Sequence, residues 1–355
     1  MMLQFATIGL GIAAALTIAA GPAGAQKKYD EGASDTEIRI GNTGPFSGPA
    51  SSYGTIAKLD AAYFRMLNEQ GGINGRTIKF ISLDDAYSPP KAVETTRRLV
   101  ESEGVLLTFN QLGTAPNAAI QKYLNSKGVP HLFLLTGAAR FIDPKGSPWS
   151  MALLPSYQVE GRIYAKHVVA TLADAKIGLL SQNDDYGREF VKGFKEGLGS
   201  KVANIVAETT YEATDPTVDS QIVTLKASGA TVFLNASLAK PASQAIRKAW
   251  DIGWRPVQFV ISTSSGISST LTPAGLEKAV GVITAAYLKD PRDPRWAEDS
   301  AMKDYFAFIK RYYPEGDPLD SVNASAYFGS MPWYSTSFLA LLVINRRTLL
   351  KTRCG

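Results

Sequence analysis

The sequence predicts an α/β protein of two lobes, each a parallel β-sheet covered by helices on both faces. Three observations support this prediction. The chain has 355 residues, enough for two domains. Short apolar runs typical of buried strands alternate with helical patterns along most of its length. Finally, a strand followed by paired acids, an aromatic residue and a helix occurs in both halves, at 83–87 and at 183–187.

The first series of elements precedes residue 150. Strands are predicted at 37–41, 77–83, 105–109 and 129–135. Helices are predicted from near Ile56, from Pro89 and from Pro116, since proline suits the first turn of a helix. The Gly71-Gly72 pair ends the first of these helices. The paired acids of both halves are interpreted as helix N-caps.

A second series follows a segment rich in Pro and Gly at 143–148, which is interpreted as the approach to a crossover between lobes. Strands are predicted at 176–181, 203–208, 231–235 and 257–262. Helices are predicted at 159–172, 190–198, 218–228 and 241–250. The order of strands and helices again indicates a parallel sheet.

The amino terminus predicts export. Residues 1–26 contain no Asp, Glu, Lys or Arg, and Ile8 to Ala20 is a run of small and apolar residues. Ala23-Gly24-Ala25 fits a signal-peptidase site, so residues 1–25 are predicted to be a cleaved signal peptide of a periplasmic protein. The basic residues usual at the start of a signal are absent, which leaves an uncleaved anchor or a buried helix as the alternative.

Composition argues against several functions. The net charge is +5, but Lys and Arg are scattered, so no nucleic-acid partner is expected. Cys354 is the single cysteine, and His131 and His167 are the only histidines, both interpreted as structural. No phosphate-binding loop, nucleophile elbow or zinc motif occurs. The sequence therefore predicts no enzyme activity, no metal site and no cofactor.

A series of short motifs follows the strands and helices predicted above. The motifs are IRIGNTGPFSG at 38–48, YG at 53–54, NEQGGINGR at 68–76, DD at 84–85 and DDYG at 184–187. In order and spacing, this series resembles the periplasmic leucine/isoleucine/valine-type binding proteins of ABC importers. The resemblance covers about Glu37 to Phe328.

The resemblance implies a type I periplasmic-binding-protein fold, with two Rossmann-like lobes joined by a three-crossover hinge. The first lobe would comprise 37–150 plus about 284–329, and the second 151–283. A small carboxylate ligand would bind in the cleft, and the loaded monomer would meet a membrane permease. A ligand-sensing receptor domain on the same fold is the alternative class.

The resemblance also implies site residues. The nine positions are Tyr53, Gln111, Gly113, Thr136, Gly137, Ala138, Tyr186, Ser237 and Ser264. The two tyrosines correspond to one aromatic residue from each lobe, and the backbone N–H groups of 136–138 would face the ligand carboxylate. Packing tyrosines and a plain strand-end turn are the alternatives at these positions.

Amino-acid binders of this family carry a glutamate in the loop after the last strand of the second lobe. Here that loop, 262–266, contains no acid. A buried ammonium without a counter-charge is unfavourable. The ligand is therefore either a branched-chain or related amino acid, as the resemblance implies, or an aromatic or other non-amino carboxylate.

The carboxyl-terminal segment departs from the family pattern. Residues 330–355 contain no acid and do not continue the expected helix, so a frameshifted or truncated tail is predicted. A native variant terminus is the alternative.

Overall fold

The computed structural model describes residues 29–172 and 174–330. It contains two parallel sheets, one of five strands and one of four. In each sheet, counted along the chain, the first strand lies between the second and the third, and the remaining strands follow in order. The α/β prediction is confirmed. Within these described ranges, no helix is long and apolar enough to cross a bilayer.

The five-stranded sheet and its helices form the first lobe. Its elements are β1 (Glu37–Gly44), α1 (Thr55–Glu69), β2 (Thr77–Asp84), α2 (Pro89–Glu101), β3 (Leu107–Phe109), α3 (Thr114–Lys127), β4 (His131–Leu134) and β5 (Ser150–Ala152). Strand β1 runs three residues beyond its predicted end, because Asn42 to Gly44 continue to pair in register with Ser82 to Asp84.

The four-stranded sheet belongs to the second lobe. Its elements are α4 (Tyr157–Thr171), β6 (Ile177–Gln182), α5 (Asp185–Leu198), β7 (Ile205–Tyr211), α6 (Asp219–Ala227), β8 (Val232–Ala236), α7 (Ala239–Asp251), β9 (Val257–Val260) and α8 (Thr272–Ala274). The predicted strand at 203–208 was placed too early, because 3-10 turns occupy Gly199–Asn204 before β7 begins.

Two further helices return to the first lobe. α9 (Ser300–Tyr312) and α10 (Ser321–Ser330) pack against α1. The ring of Tyr63 on α1 lies 5.8 Å from Phe308 and 6.4 Å from Tyr327. The chain thus passes between the sheets twice in the described residues, at 153–156 and at 284–290. The predicted signal peptide and residues 331–355 of the predicted tail lie outside the described residues. The third crossover of the predicted hinge stays a prediction.

The paired acids of the two halves have different roles. Asp184 is the N-cap of α5 and accepts from Gly187 N at 3.3 Å, so that interpretation is confirmed. It is wrong for Asp84 and Asp85, because Ser88 occupies the N-cap position of α2. Their carboxylates instead accept from the backbone N–H groups of Ala86 and Tyr87 within the turn after β2, at 2.9 and 2.8 Å.

Candidate functional site

A cavity of about 450 Å³ lies between the lobes, beyond the carboxyl ends of the strands. Such a position and volume are usual for small-ligand sites in α/β proteins. Both lobes and both crossovers contribute to its wall. The wall is rich in leucine and tyrosine: Leu112, Leu135, Leu153, Leu154, Leu238, Leu288, Tyr53, Tyr87, Tyr157, Tyr186 and Tyr287.

Three of the nine predicted site residues line this cavity. They are Tyr53, Gly113 and Tyr186. The other six are not wall residues, although the loops that carry them form the wall's support. They are Gln111, Thr136, Gly137, Ala138, Ser237 and Ser264.

Tyr53 follows β1 on a short 3-10 turn and is only 6% exposed. Its hydroxyl reaches the second lobe, where it accepts from Ala239 N at 3.0 Å. Its proton has two acceptors there, Thr263 O at 3.0 Å and Ser264 Oγ at 3.1 Å. Burial raises the pKa of Tyr53 to about 12, so the hydroxyl stays neutral and keeps its proton for these bonds.

Tyr186 lies in the first turn of α5, and its hydroxyl bonds inside its own lobe. It is 3.1 Å from Ser237 O and 3.2 Å from Thr263 Oγ1. The ring packs edge-on against Tyr157, with 5.0 Å between centroids. Because the hydroxyl is engaged by second-lobe loops, the ring is the part of Tyr186 that supplies cavity surface.

The loop after β3 contains Gln111 and Gly113. The Gln111 amide is buried and donates to Thr43 Oγ1 at 2.9 Å, so it supports the loop from below. Gly113 immediately precedes α3 with φ 98°. A Cβ at Gly113 would lie 2.4 Å from the ring of Tyr87, so the approach of this ring requires glycine.

The loop after β4 uses much of its hydrogen-bonding capacity internally. Thr136 N donates to Leu134 O at 2.8 Å, and Ala138 N donates to Thr136 Oγ1 at 3.2 Å. The Thr136 hydroxyl also bonds that of Thr114 at 2.7 Å. Two of the three N–H groups predicted to face a carboxylate therefore already donate, one to the last residue of β4 and one within the loop.

Ser237 and Ser264 join the loops after β8 and β9. Ser264 Oγ donates to Ser237 O at 2.5 Å, and both residues have no exposed surface. Their hydrogen bond connects the two loops beneath the residues that line the cavity.

The serine loop at 262–266 has an acid after all, although it comes from α4. Glu160 accepts from Ser262 N at 2.7 Å, from Ser262 Oγ at 2.9 Å and from the Tyr164 hydroxyl at 2.8 Å. Burial raises the pKa of Glu160. Three donors already engage this carboxyl group, which positions the loop.

Sequence reasoning missed the wall residues Tyr87 and Tyr157. A signal for Tyr87 was present, because 83–87 matches 183–187, where Tyr186 was selected. Tyr157 begins α4 directly after the first crossover, and only its position beside that crossover would have indicated it. Glu160 had no local signal, since its partner Ser262 is 102 residues away.

The wall offers little net positive charge. Lys289 lies on it, but its Nζ pairs with Asp299 at 2.6 Å. In the part of the chain that the structure describes, no group of three or more His, Cys, Asp or Glu side chains is placed to hold a metal ion. His131 is buried in β4 with Nε2 2.9 Å from Asn117 Oδ1, and burial lowers its pKa to about 3. It is a packed residue, as interpreted.

Comparisons with known proteins agree with this architecture. The Leu/Ile/Val-binding protein homolog 7 of Brucella abortus is 26% identical over 286 residues, covering 77% of this chain and 68% of that protein. The substrate-binding periplasmic protein of Ralstonia solanacearum superposes with a TM-score of 0.79 at 21% identity, covering 88% of each chain.

A branched-chain amino acid ABC transporter protein of Thermus thermophilus, solved with bound valine, gives a TM-score of 0.77 at 14% identity. The match covers 89% of this chain and 82% of that one. The names of the Brucella and Ralstonia relatives describe binding proteins. A family profile described as periplasmic binding protein matches residues 37–333, and the chain therefore belongs to the periplasmic binding protein family.

Proposed function

We propose that this chain is the extracytoplasmic solute-binding component of an ABC importer, which encloses a small carboxylate between its lobes. The observation that supports this most directly is the cavity of about 450 Å³, bounded by both lobes and by both described crossovers. A ligand there would touch both lobes at once, so its binding energy would favour the closed arrangement.

One end of the cavity suits an anion. Gly113 and Thr114, the residues at the amino terminus of α3, line it. The first N–H groups of a helix have no partner within the helix, and its dipole favours negative charge. The rest of the wall is mainly aliphatic and aromatic, which matches a carboxylate with an apolar body.

Two ligand classes follow from this arrangement. The Brucella relative and the valine-bound Thermus structure support a branched-chain or related amino acid. The serine loop without its own acid, and a Glu160 already engaged by three donors, favour an aromatic or other non-amino carboxylate. An ammonium group would need a counter-charge, and the acid on this wall, Asp290, already accepts from Arg292 N at 2.8 Å.

Export and partners complete the proposal. A signal peptide at 1–25 would deliver the protein to the periplasm, where a membrane permease would receive the ligand from the monomer. Lobe 1 would comprise 37–150 plus about 284–329, and lobe 2 151–283. A ligand-sensing receptor domain is the alternative; loss of uptake of the bound compound on gene deletion would distinguish the importer from it.

A thermal-shift screen tests the ligand. The purified protein is heated with leucine, isoleucine, valine, benzoate, 4-hydroxybenzoate or phenylacetate. A compound present at 100 times its Kd stabilises by about 2.7 kcal/mol, which raises Tm by roughly 4 °C for a chain of this length. A shift with leucine or valine and none with the aromatic acids would contradict the aromatic class, and the reverse pattern would contradict the amino-acid class. No shift with any compound, together with no uptake defect on deletion, would contradict the proposed function.

A further inference from the structure

We propose that Tyr53 is a positioning residue: its hydroxyl is an interlobe latch that caps helix α7 of the second lobe and holds the lobes together. Its ring remains a part of the cavity wall. The inference rests on the proposed function, since it gives Tyr53 a role in enclosing the ligand rather than in bonding it.

The amino terminus of α7 has no cap from its own sequence. The N-cap residue is Leu238, whose side chain cannot accept a hydrogen bond. Two tyrosine hydroxyls replace that cap: Tyr211 accepts from Leu238 N at 2.9 Å and Tyr53 accepts from Ala239 N at 3.0 Å. Unpartnered N–H groups at a helix start require an acceptor when they are buried.

The two capping hydroxyls differ in origin. Tyr211 ends β7 and belongs to the second lobe, so its bond persists whatever the first lobe does. Tyr53 follows β1 and belongs to the first lobe, 186 residues from Ala239. The bond from Ala239 N to Tyr53 therefore exists only when the lobes are together.

The donor side of the Tyr53 hydroxyl also crosses between lobes. Its proton points to Thr263 O or Ser264 Oγ, at 3.0 and 3.1 Å. The proton of Ser264 is committed to Ser237 O, which leaves Ser264 Oγ as an acceptor. One first-lobe hydroxyl thus joins the loops after β8 and β9 to the cavity wall.

Tyr186 is a matched control within the same cavity. It is also a buried wall tyrosine with a hydroxyl near Thr263, but both of its partners belong to the second lobe. Tyr53→Phe removes bonds that cross between lobes, whereas Tyr186→Phe removes bonds inside one lobe. The two rings stay in place in both variants.

Cross-linking across the cleft rim measures how often the lobes meet. Ala139 N lies 2.8 Å from the carboxylate of Glu189, and these residues belong to different lobes. Ala139→Cys and Glu189→Cys are combined with Cys354→Ser, so that a short bis-methanethiosulfonate reagent has only this thiol pair to join. The cross-linking rate, normalised to the labelling rate of each thiol alone, reports the closed population without any ligand.

In this background Tyr53→Phe is expected to slow cross-linking about five- to tenfold. With the lobes closed, Ala239 N would be buried without its Tyr53 acceptor, whereas water can replace that acceptor when the lobes separate. Tyr186→Phe is expected to change it less than about twofold. Equal rates for Tyr53→Phe and its parent would overturn the latch, as would a pair that never cross-links. Circular dichroism melts establish that each variant is folded. Because no ligand is present, this result is independent of the ligand screen.

Discussion

The walls that the two lobes contribute to the cavity differ in backbone conformation. The structure describes five non-glycine residues with left-handed φ, and all lie in the first lobe. Four of them adjoin the carboxyl ends of its strands: Ala86, Tyr87, Asn110 and Phe133, with φ of 51°, 58°, 53° and 55°. In the second lobe, the loops after β8 and β9 begin with ordinary extended or helical backbone.

This difference indicates a division of labour. Left-handed backbone at a non-glycine residue is unfavourable by about 1 kcal/mol or more and persists only where surrounding contacts determine it. The first-lobe wall is therefore a rigid, preformed surface that fixes the ring of Tyr87 and the start of α3. The second-lobe wall consists of serine loops held by hydrogen bonds with Glu160, which accepts, and with the hydroxyls of Tyr186 and Tyr53.

Substitution of the loop glycine on each wall gives the largest expected difference. Gly113→Ala places a Cβ 2.4 Å from the Tyr87 ring at φ 98°, where an L residue is strained. We expect a loss of roughly 3 kcal/mol in the free energy of unfolding, measured by urea denaturation.

Gly266→Ala is the control on the serine loop. Gly266 has φ −59°, and its added Cβ would approach three side chains but no backbone atom within 4 Å. The closest is the Ser269 hydroxyl, which can rotate away, and the side chains of Ser321 and Val322 lie 3.3 and 3.5 Å from the added Cβ. We expect a change below about 1 kcal/mol. Equal losses for the two variants would show that the first-lobe wall is no more constrained than the second.

The second-largest expected effect concerns a buried carboxyl group beneath the first-lobe wall. Asp60 on α1 accepts from Asn110 Nδ2 at 3.2 and 3.1 Å, and this bond supports the left-handed Asn110. Burial raises the pKa of Asp60 to about 8. Folding therefore favours proton uptake between the ordinary and the raised pKa, so stability falls as pH rises from about 4 to about 8.

Asp60→Asn is expected to reduce this fall by several degrees in Tm between pH 5 and pH 8, measured by thermal scans across the range. Asp219→Asn in the second lobe is the control, because hydrogen bonds from Thr217 and Lys248 lower the pKa of that exposed carboxyl group. Its contribution is lost only in more acidic solution. If Tm of Asp60→Asn changes with pH as it does in the parent, the pKa of Asp60 is not raised in the folded protein.

The sequence predicts the regular elements of this fold better than the site. The strands and helices that were predicted have a local signature of apolar periodicity, often with Pro or Gly at their ends, and lie within a few residues of the observed ones. β5, α8, α9 and α10 were not predicted. Gly113 carries its own signal, because glycine tolerates φ 98°. The bonds between Tyr53 and Ala239 and between Glu160 and Ser262 join residues 186 and 102 positions apart, and no local pattern specifies them.

The left-handed backbone of Ala86 is the feature of the first-lobe wall that the sequence indicates least. Ala86 N donates to Asp84 Oδ1 at 2.9 Å, and this bond helps to set its φ of 51°. Ala86→Gly removes strain of about 1 kcal/mol but adds flexibility to the unfolded chain of about the same size, so we expect a net change below about 0.5 kcal/mol.

Ala170→Gly on α4 is the comparison, since Ala170 is exposed with ordinary helical backbone and gains nothing from glycine. We expect it to lose about 0.5–1 kcal/mol in urea denaturation. A larger loss for Ala86→Gly than for Ala170→Gly would mean that Ala86 is unstrained. The first-lobe wall would then owe its shape to side-chain packing, as the second-lobe wall does to hydrogen bonds, and the contrast between them would lie in contacts rather than in backbone.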